Sequence, residues 1–214
     1  MLSSLPASAA KADQVFSILR NGKDLGWQKI SFQRQGDRFQ VQVTGQAEYK
    51  IGTLVLYRYE LRRTESWEDG KLIAFAAWTD DDGKVSEVQG RRDGEMFRVA
   101  GPRGETQAPA TALPGNLWNA QIVQASHIID NETGQAAPLH AVTGELETVE
   151  ACGGQVQARH YRLTGKESQD VWYDERGRWI RMELTARDMS KIAFVLRAAA
   201  APYLALSGPA ACGS

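Results

Sequence analysis

The segment LVLYRYELRRTESW, residues 54–67, mixes aromatic and charged side chains in a pattern that can build a binding site. Alternate residues of a strand share a face, and one face here carries Val55, Tyr57, Tyr59, Leu61, Arg63, Glu65 and Trp67. This face belongs either to a strand that leaves the core and reaches solvent, or to the wall of an apolar cavity. In the second case Arg63 and Glu65 stand at the cavity mouth and orient an amphipathic ligand.

The sequence contains no recognisable catalytic or metal-binding motif. Its three histidines, His127, His140 and His160, lie in separate runs without partners at helical spacing, and neither cysteine belongs to a CxxC pair. Ser126 and His127 precede Asp130, but a catalytic triad is assembled in space, so this adjacency carries little weight. We therefore assign no catalytic residue, no metal ligand and no cofactor.

The segment DVWYDERGRWIRMEL, residues 170–184, concentrates aromatic residues around a charged turn. DERG is typical of a tight turn, with Gly177 at the position that tolerates a positive φ. Alternation then places Trp172 on one face and Tyr173 on the other. We interpret the segment as a β-hairpin in which Trp172 and Trp179 contribute to cross-strand packing.

The remainder of the chain repeats short alternating runs separated by turn residues, which predicts a mainly β protein. Asp69-Gly70, Asp82-Gly83 and Asp93-Gly94 suit tight hairpin turns. Consecutive runs follow one another too closely for parallel crossovers, so we expect an antiparallel meander of about twelve strands. LIAFAAWT, residues 72–79, is one such run and contributes Phe75 and Trp78.

One segment departs from this pattern. NLWNAQIVQAS, residues 116–126, predicts a short helix capped by Asn116, with Leu117, Trp118, Gln121 and Ile122 along one side. A single short helix next to a sheet is suited to act as a lid or a plug.

The charges and the chain ends limit the function classes. The 25 basic and 26 acidic side chains give a net charge of −1, which argues against a nucleic-acid partner. LPASAA, residues 5–10, resembles the end of a signal peptide, so we expect residues 1–10 to be its truncated remnant and the protein to be periplasmic. We expect one domain over residues 11–197 and an Ala-rich tail over residues 198–214.

The sequence contains two cysteines, Cys152 and Cys212. This number is too small for a disulfide scaffold. In an oxidising compartment the two thiols either pair and tie down the tail or remain free.

FSILRNGKDLGWQKISFQRQGDRFQV, TESWEDGKLIAF, TDDDGK, NLWN and VWYDERGRWIRMEL together resemble an uncharacterised bacterial family of secreted proteins, a domain of unknown function. The resemblance extends from Val15 to Leu196. That family is similar in turn to the lipoprotein-carrier superfamily of periplasmic carriers and outer-membrane receptors. The resemblance implies an antiparallel half-barrel around an apolar concave face, covered in part by helices.

The sequence therefore predicts a half-barrel with one short helix as lid or plug, and a non-catalytic site for a lipid or another apolar ligand. The alternatives are a cofactor-free enzyme that uses the same cavity and a structural envelope protein with a filled core. The expected partner is an apolar small molecule or a lipid acyl chain, and a membrane-associated partner fits the same interpretation. The residues expected to line the cavity are Tyr57, Tyr59, Arg63, Glu65, Phe75, Trp78, Trp118, Trp172 and Trp179.

Overall fold

The structure is a computed structural model that describes residues 11–199. The first eight strands cover most of the N-terminal half of the chain. They are β1 (Lys11–Arg20), β2 (Lys23–Gln35), β3 (Arg38–Ile51), β4 (Leu54–Glu68), β5 (Lys71–Asp81), β6 (Lys84–Asp93), β7 (Met96–Gly101) and β8 (Gly104–Pro109). The next strands are short, and the last five are long again. They are β9 (Leu113–Pro114), β10 (His127–Ile129), β11 (Ala136–Pro138), β12 (His140–Ala151), β13 (Gly154–Thr164), β14 (Ser168–Tyr173), β15 (Trp179–Thr185) and β16 (Lys191–Ala199).

Thirteen of these strands form one antiparallel sheet in the order β12-β13-β14-β15-β16-β1-β2-β3-β4-β5-β6-β7-β8. Each strand lies beside its neighbour in sequence, which confirms the predicted antiparallel meander. Strands β1 and β16 also pair antiparallel, with Ile18 opposite Phe194. The first and last strands of the described chain therefore lie in the middle of the sheet, while β8 and β12 are its edges.

One face of the large sheet carries most of the buried side chains. In β3, Val41, Val43 and Ala47 are buried while Gln40, Gln42 and Gln46 are exposed. This period of two is the pattern predicted from the sequence. The buried faces of the other long strands join the same core, which contains Phe16, Ile30, Phe32, Leu61, Val88 and Val171.

Residues 110–139, between β8 and β12, cover part of this buried face. They contain a second small sheet in the order β11-β10-β9 and one 3-10 helix, Ala120–Gln124. We call residues 110–139 the cover segment. Four of its side chains are buried in the core of the large sheet: Leu117, Trp118, Ile122 and Ile129.

The helix predicted over residues 116–126 is shorter than expected and has a different cap. The 3-10 helix begins after Asn119, whose Oδ1 accepts a 3.0 Å hydrogen bond from the Gln121 N–H. Asn116 is instead buried among polar groups of β4, and Gln121 is exposed. Because Asn116 finds partners in the core, it does not cap a helix and the helix starts later.

The predicted turns are largely present. Asp69-Gly70 and Asp82-Gly83 both have positive φ at both positions, as tight hairpin turns require. In Asp93-Gly94 only the glycine has a positive φ, of 60°, so this turn is of another type. Gly177 has a φ of 72° in the turn between β14 and β15, which confirms the predicted hairpin.

The predicted ends of the domain fall mainly outside the described residues. Residues 1–10, the predicted signal-peptide remnant, are not among them, and neither are residues 200–214 of the predicted Ala-rich tail. Strand β16 continues to Ala199, two residues past the expected end of the domain.

Candidate functional site

Strand β4 carries the candidate site on the face that points into the core. Along this face exposure falls from Val55, which is 38% exposed, to Glu65 and Trp67, which are 2% and 7% exposed. The strand therefore does not run out of the core at its charged end, as one interpretation of the sequence required. Glu65 is buried, whereas Tyr57, Tyr59 and Arg63 are each half-buried.

Glu65 is a buried carboxylate with three hydrogen-bond donors. Its Oε2 accepts a 2.8 Å hydrogen bond from the Trp67 Nε1–H, and its Oε1 accepts one of 3.1 Å from the Trp118 Nε1–H. The Asn116 Nδ2–H group also donates to Oε1. Trp67 belongs to β4, whereas Asn116 and Trp118 belong to the cover segment, so Glu65 fastens the cover segment to the sheet. Glu65 is sealed inside the protein and is not at a cavity mouth.

Burial raises the pKa of Glu65 above its ordinary value, because the charged form loses its hydration. The hydrogen bonds from Asn116, Trp118 and Trp67 oppose this shift, and so does the positive charge of Arg63. The site therefore holds a carboxyl group whose ionisation carries a desolvation cost. Both of its oxygens accept hydrogen bonds from protein donors.

Asn116 forms hydrogen bonds with both Arg63 and Glu65 and bridges them. The Arg63 Nη1–H donates a 2.9 Å hydrogen bond to Asn116 Oδ1, which also accepts one of 3.3 Å from the Asn131 amide. Among the described residues, no carboxylate oxygen lies within 4.0 Å of the Arg63 guanidinium nitrogens, and its buried Nε has no hydrogen-bond partner. Arg63 is thus a half-buried cation whose charge is not neutralised by direct contact.

A cavity of about 450 Å³ lies between the sheet and the cover segment. Its lining comes from seven consecutive strands of the sheet, from β14 through β16 and β1 to β4, and from Glu167 and residues 115–118 outside these strands. Most of the lining side chains are apolar, and they include Ile18, Ile30, Val43, Leu61, Met182, Leu184 and Phe194. We call this space the apolar cavity.

A second cavity of about 340 Å³ adjoins the first and shares Arg63, Gly115, Glu167 and Gln169 with it. Its other lining residues are mostly polar. Asp130 there forms a 2.6 Å ion pair with Lys166, and the pKa of Asp130 is lowered by this partner and by two backbone N–H groups, against the effect of burial. Glu132 accepts a 3.3 Å hydrogen bond from the Tyr59 hydroxyl. We call this space the polar cavity.

Five of the nine predicted lining residues border the apolar cavity: Tyr57, Tyr59, Arg63, Trp118 and Trp179. The Trp179 ring stacks on Phe16 with centroids 4.0 Å apart. The Tyr57 hydroxyl donates a 2.7 Å hydrogen bond to Asp81, and burial together with this contact raises the pKa of Tyr57.

The other four predicted residues lie elsewhere. Glu65 is sealed behind Trp118, and Phe75 packs in the core with Phe97, where its ring lies against Gly90. Trp78 lies on the opposite face of the sheet, because it is out of phase with the buried residues of β5. Trp172 is buried, at 8% exposed, but it borders neither cavity, and alternation places it on the face opposite to Val171 and Tyr173. The sequence prediction assigned both tryptophans to the cavity, although Trp78 differs in parity from Phe75 and Trp172 differs in parity from Tyr173.

Trp172 and Trp78 have partners on that opposite face. The Trp172 ring stacks on His160 with centroids 4.9 Å apart, and its Nε1–H donates a 2.9 Å hydrogen bond to Glu147. Trp78 lies under the guanidinium group of Arg62, 4.7 Å from its ring centroid. Both tryptophans stabilise the sheet from outside the cavity.

The residue types of a triad are not assembled around His127. Ser126 Oγ lies 3.0 Å from His127 Nδ1, but Asp130 is engaged by Lys166 and by the backbone N–H groups of Glu132 and Thr133. In the described part of the chain, no group of three or more His, Cys, Asp or Glu side chains is arranged to hold a metal ion.

Cys152 occupies the turn between β12 and β13 with a φ of 57°, and it is not a free cysteine. Cys212 lies outside the described residues. The pairing of Cys152 with Cys212 therefore stays a prediction.

Two groups of the site were not identified from the sequence. Trp67 lies two residues after Glu65 on the same face of β4 and donates a hydrogen bond to its carboxylate. The alternation of residues 54–67 places these two side chains on one face, but it does not indicate the hydrogen bond. Asn116 bridges Arg63 and Glu65, and no local pattern signals this role because its partners are more than fifty residues away in sequence.

The sequence profile of a family described as "Domain of unknown function (DUF6134)" matches residues 16–197. The chain belongs to the DUF6134 family. The matched range contains β4, the cover segment and all the residues that line the apolar cavity of this DUF6134 domain. No curated protein matches the chain. None of the helices in residues 11–199 is long and apolar enough to span a membrane.

Proposed function

We propose that this protein is a non-catalytic, periplasmic binding module for a lipid or another apolar molecule. The observation that carries the proposal is the apolar cavity between the large sheet and the cover segment. Its volume of about 450 Å³ lies within the range of about 300–1,000 Å³ that small-molecule sites occupy. The cavity also argues against a structural protein with a filled core, because well-packed interiors contain few voids larger than a water molecule.

Contacts across the sheet support a half-barrel around this cavity. Tyr173 of β14 donates a 2.8 Å hydrogen bond to the Leu117 carbonyl, while the next residue, Trp118, donates to Glu65 of β4. These strands are six steps apart in the sheet, which corresponds to roughly 29 Å if the sheet is flat. In addition, the Cys152 N–H donates to the Leu196 carbonyl, although β12 and β16 are four steps apart. A sheet that curls around the cover segment brings such pairs together.

The size and the lining of the cavity suit a medium-length acyl chain. Each methylene that moves from water into an apolar site contributes about 0.8 kcal/mol. About ten methylenes therefore give roughly 8 kcal/mol, which corresponds to a Kd of about 1 μM before the cost of association is subtracted. The cost of association weakens this limit, so we expect fatty-acid-like ligands to bind with a Kd above about 1 μM.

The ionisable groups around the cavity favour binding over catalysis. A general base needs a free acceptor within reach of the substrate, whereas both oxygens of Glu65 accept hydrogen bonds from protein donors. The hydroxyl groups of Tyr57 and Tyr59 donate to Asp81 and Glu132. A cofactor-free enzyme would need one of these groups to be released, or would have to use Glu167, an exposed carboxylate that lines the cavity.

An apolar hairpin tip supports a membrane-associated partner, and we propose that this tip enters the surface of a lipid bilayer. The β2–β3 pairing ends at Ala47 and the β4–β5 pairing begins at Tyr59, so the β3–β4 ribbon projects beyond its neighbours. Ile51, Leu54, Val55 and Leu56 at its tip are 38–63% exposed. Lys50 and Arg58 flank these side chains, and both form ion pairs with Glu48, at 2.6 and 2.9 Å. A lipid phosphate would have to compete with Glu48 for these two cations. Large exposed apolar groups of this kind mark interaction sites.

The proposal is tested by calorimetric titration of the protein with dodecanoate, a twelve-carbon fatty acid, below its micelle-forming concentration. Ala47 is 6% exposed and lines the apolar cavity, so Ala47→Phe places a ring in the space where the chain would lie. Ala100→Phe, at an exposed position of β7, is the matched control. We expect saturable binding to the wild type and the control but not to Ala47→Phe. Absence of binding to the wild type at tens of micromolar would contradict the proposal.

A further inference from the structure

The strongest unexplained feature of the site is the charge of Arg63. Most charged side chains that are partly buried have an ionic or hydrogen-bonded partner, because an isolated charge in a low-dielectric site is unfavourable. Arg63 has one hydrogen bond, to the neutral amide of Asn116. Its buried Nε has no acceptor among the described residues, although a guanidinium group carries five N–H donors.

The position of Arg63 is as informative as its lack of a counter-ion. It lines both the apolar cavity and the polar cavity, so its guanidinium group stands where the two spaces meet. The carboxylates nearby have other partners. Glu65 accepts from Asn116, Trp67 and Trp118, Asp130 pairs with Lys166, and Glu132 accepts from Tyr59.

Glu167 is the remaining acidic side chain that lines both cavities. It is exposed and forms no ion pair with Arg63 within 4.0 Å. Because its charge is hydrated and that of Arg63 is half-buried, an anion in the cavity interacts more strongly with Arg63 than with Glu167.

We propose that Arg63 is the head-group residue of the cavity, and that the ligand is an anionic amphiphile whose chain lies in the apolar cavity. The head group, a carboxylate or a phosphate, accepts hydrogen bonds from the free N–H groups of Arg63. Arginine suits this role because its planar fork of donors matches carboxylate and phosphate oxygens. This inference rests on the proposed function and names the ligand class of the same site.

The experiment compares twelve-carbon probes that share a chain and differ in head group, each titrated calorimetrically below its micelle-forming concentration. The probes are dodecanoate, dodecyl phosphate, dodecanol and dodecyltrimethylammonium. For the wild type we expect at least one of the two anionic probes to bind about tenfold more tightly than dodecanol, and the cationic probe to bind least. The tighter of the two anionic probes distinguishes a fatty-acid source from a phospholipid source.

Two variants assign the preference to Arg63. Arg63→Met should remove the advantage of the anionic probes over dodecanol, and Arg63→Lys should restore part of it because the charge returns without the planar fork. Arg34→Met is the control, since Arg34 is exposed on β2 and lines neither cavity. The wild-type series tests the inference even where Arg63→Met does not fold.

The outcomes separate this inference from the proposed function. If dodecanol and the anionic probes bind equally well, the head-group role is wrong and the apolar binding site remains. A preference for dodecyltrimethylammonium would also overturn the inference, because Glu167 and not Arg63 would then bind the head group. If none of the probes binds, the proposed function fails and the head-group role fails with it.

Discussion

The indole N–H of Trp118 donates a 3.1 Å hydrogen bond to the buried carboxylate of Glu65, which joins the cover segment to strand β4. The same indole ring makes edge contacts with Phe32, Phe39 and Trp67, at centroid distances of 5.5–5.8 Å. Trp118 is therefore both a wall of the apolar cavity and a structural anchor.

Replacing Trp118 by Ala should destabilise the protein by about 3–5 kcal/mol, because it leaves a void and removes one donor from Glu65. Trp118→Phe should have a smaller effect, since it keeps most of the ring contacts and loses the N–H. Trp78→Ala, on the opposite face of the sheet, is the control and should have an effect of about 1 kcal/mol or less. Denaturant unfolding measures all three, and equal effects for Trp118→Ala and Trp78→Ala would argue against the anchor.

The buried Glu65 predicts how stability depends on pH. Its pKa in the folded protein is raised above the ordinary value of 4.5, so the folded state holds this proton more tightly than the unfolded state. The free energy of unfolding therefore decreases as the pH rises from about 4.5 through the pKa of folded Glu65. The carboxyl groups with lowered pKa values, Glu48, Asp130 and Asp188, act with the opposite sign and at lower pH.

Glu65→Gln removes the titrating group while it keeps the shape of the side chain. Denaturant unfolding at pH 5 and pH 8 should give a larger drop in the free energy of unfolding for the wild type than for the variant. Gln also places an N–H group opposite a donor, so the variant should be less stable than the wild type at pH 5. Identical pH dependence in both proteins would show that Glu65 does not carry the effect.

The alternation of the sequence predicts most of the large sheet. Residues 38–44 illustrate the reason, since Phe39, Val41 and Val43 lie on the core side and the residues between them are polar. Strand β8 was not predicted, because residues 107–115 contain two prolines and resemble a loop; the strand ends at the first of them, Pro109. The pairing of β1 with β16 joins residues about 180 positions apart, and no local pattern reports such a contact.

The site was predictable only in part. The face of β4 that bears Tyr57, Tyr59, Arg63 and Glu65 follows directly from alternation. The depth of Glu65 does not follow, because it depends on Asn116 and Trp118, which the chain brings back from the cover segment. An aromatic residue is apolar enough for either face of a sheet, so composition alone did not exclude Trp78 and Trp172 from the cavity.

The two cysteines give a prediction that can be tested on the wild-type protein, without any substitution. If Cys152 pairs with Cys212, unfolded but unreduced protein should contain no titratable thiol. Reduction should then lower the free energy of unfolding by roughly 3–5 kcal/mol in the entropic description of cross-links. A thiol assay that finds two free groups per chain before reduction would exclude the bridge.

The hairpin tip predicts binding to lipid vesicles. We expect the wild type to co-sediment with vesicles of phosphatidylethanolamine and phosphatidylglycerol. The double change of Leu54 and Leu56 to Ser should weaken this binding by at least about tenfold, because two exposed leucines no longer enter the interface. Changing Val142 and Leu146 to Ser on edge strand β12 is the control, since these residues are at least as exposed as the two leucines but lie away from the tip. Equal losses for the two variants would argue for non-specific adhesion.

The central claim is that the apolar cavity holds a ligand, and native mass spectrometry of protein purified from its own host tests this most directly. We predict that the wild type carries an additional bound mass, that gentle activation releases it as an anionic amphiphile, and that Ala47→Phe purified in the same way carries none. A wild type with no bound mass, or an Ala47→Phe variant with the same bound mass, would contradict the claim.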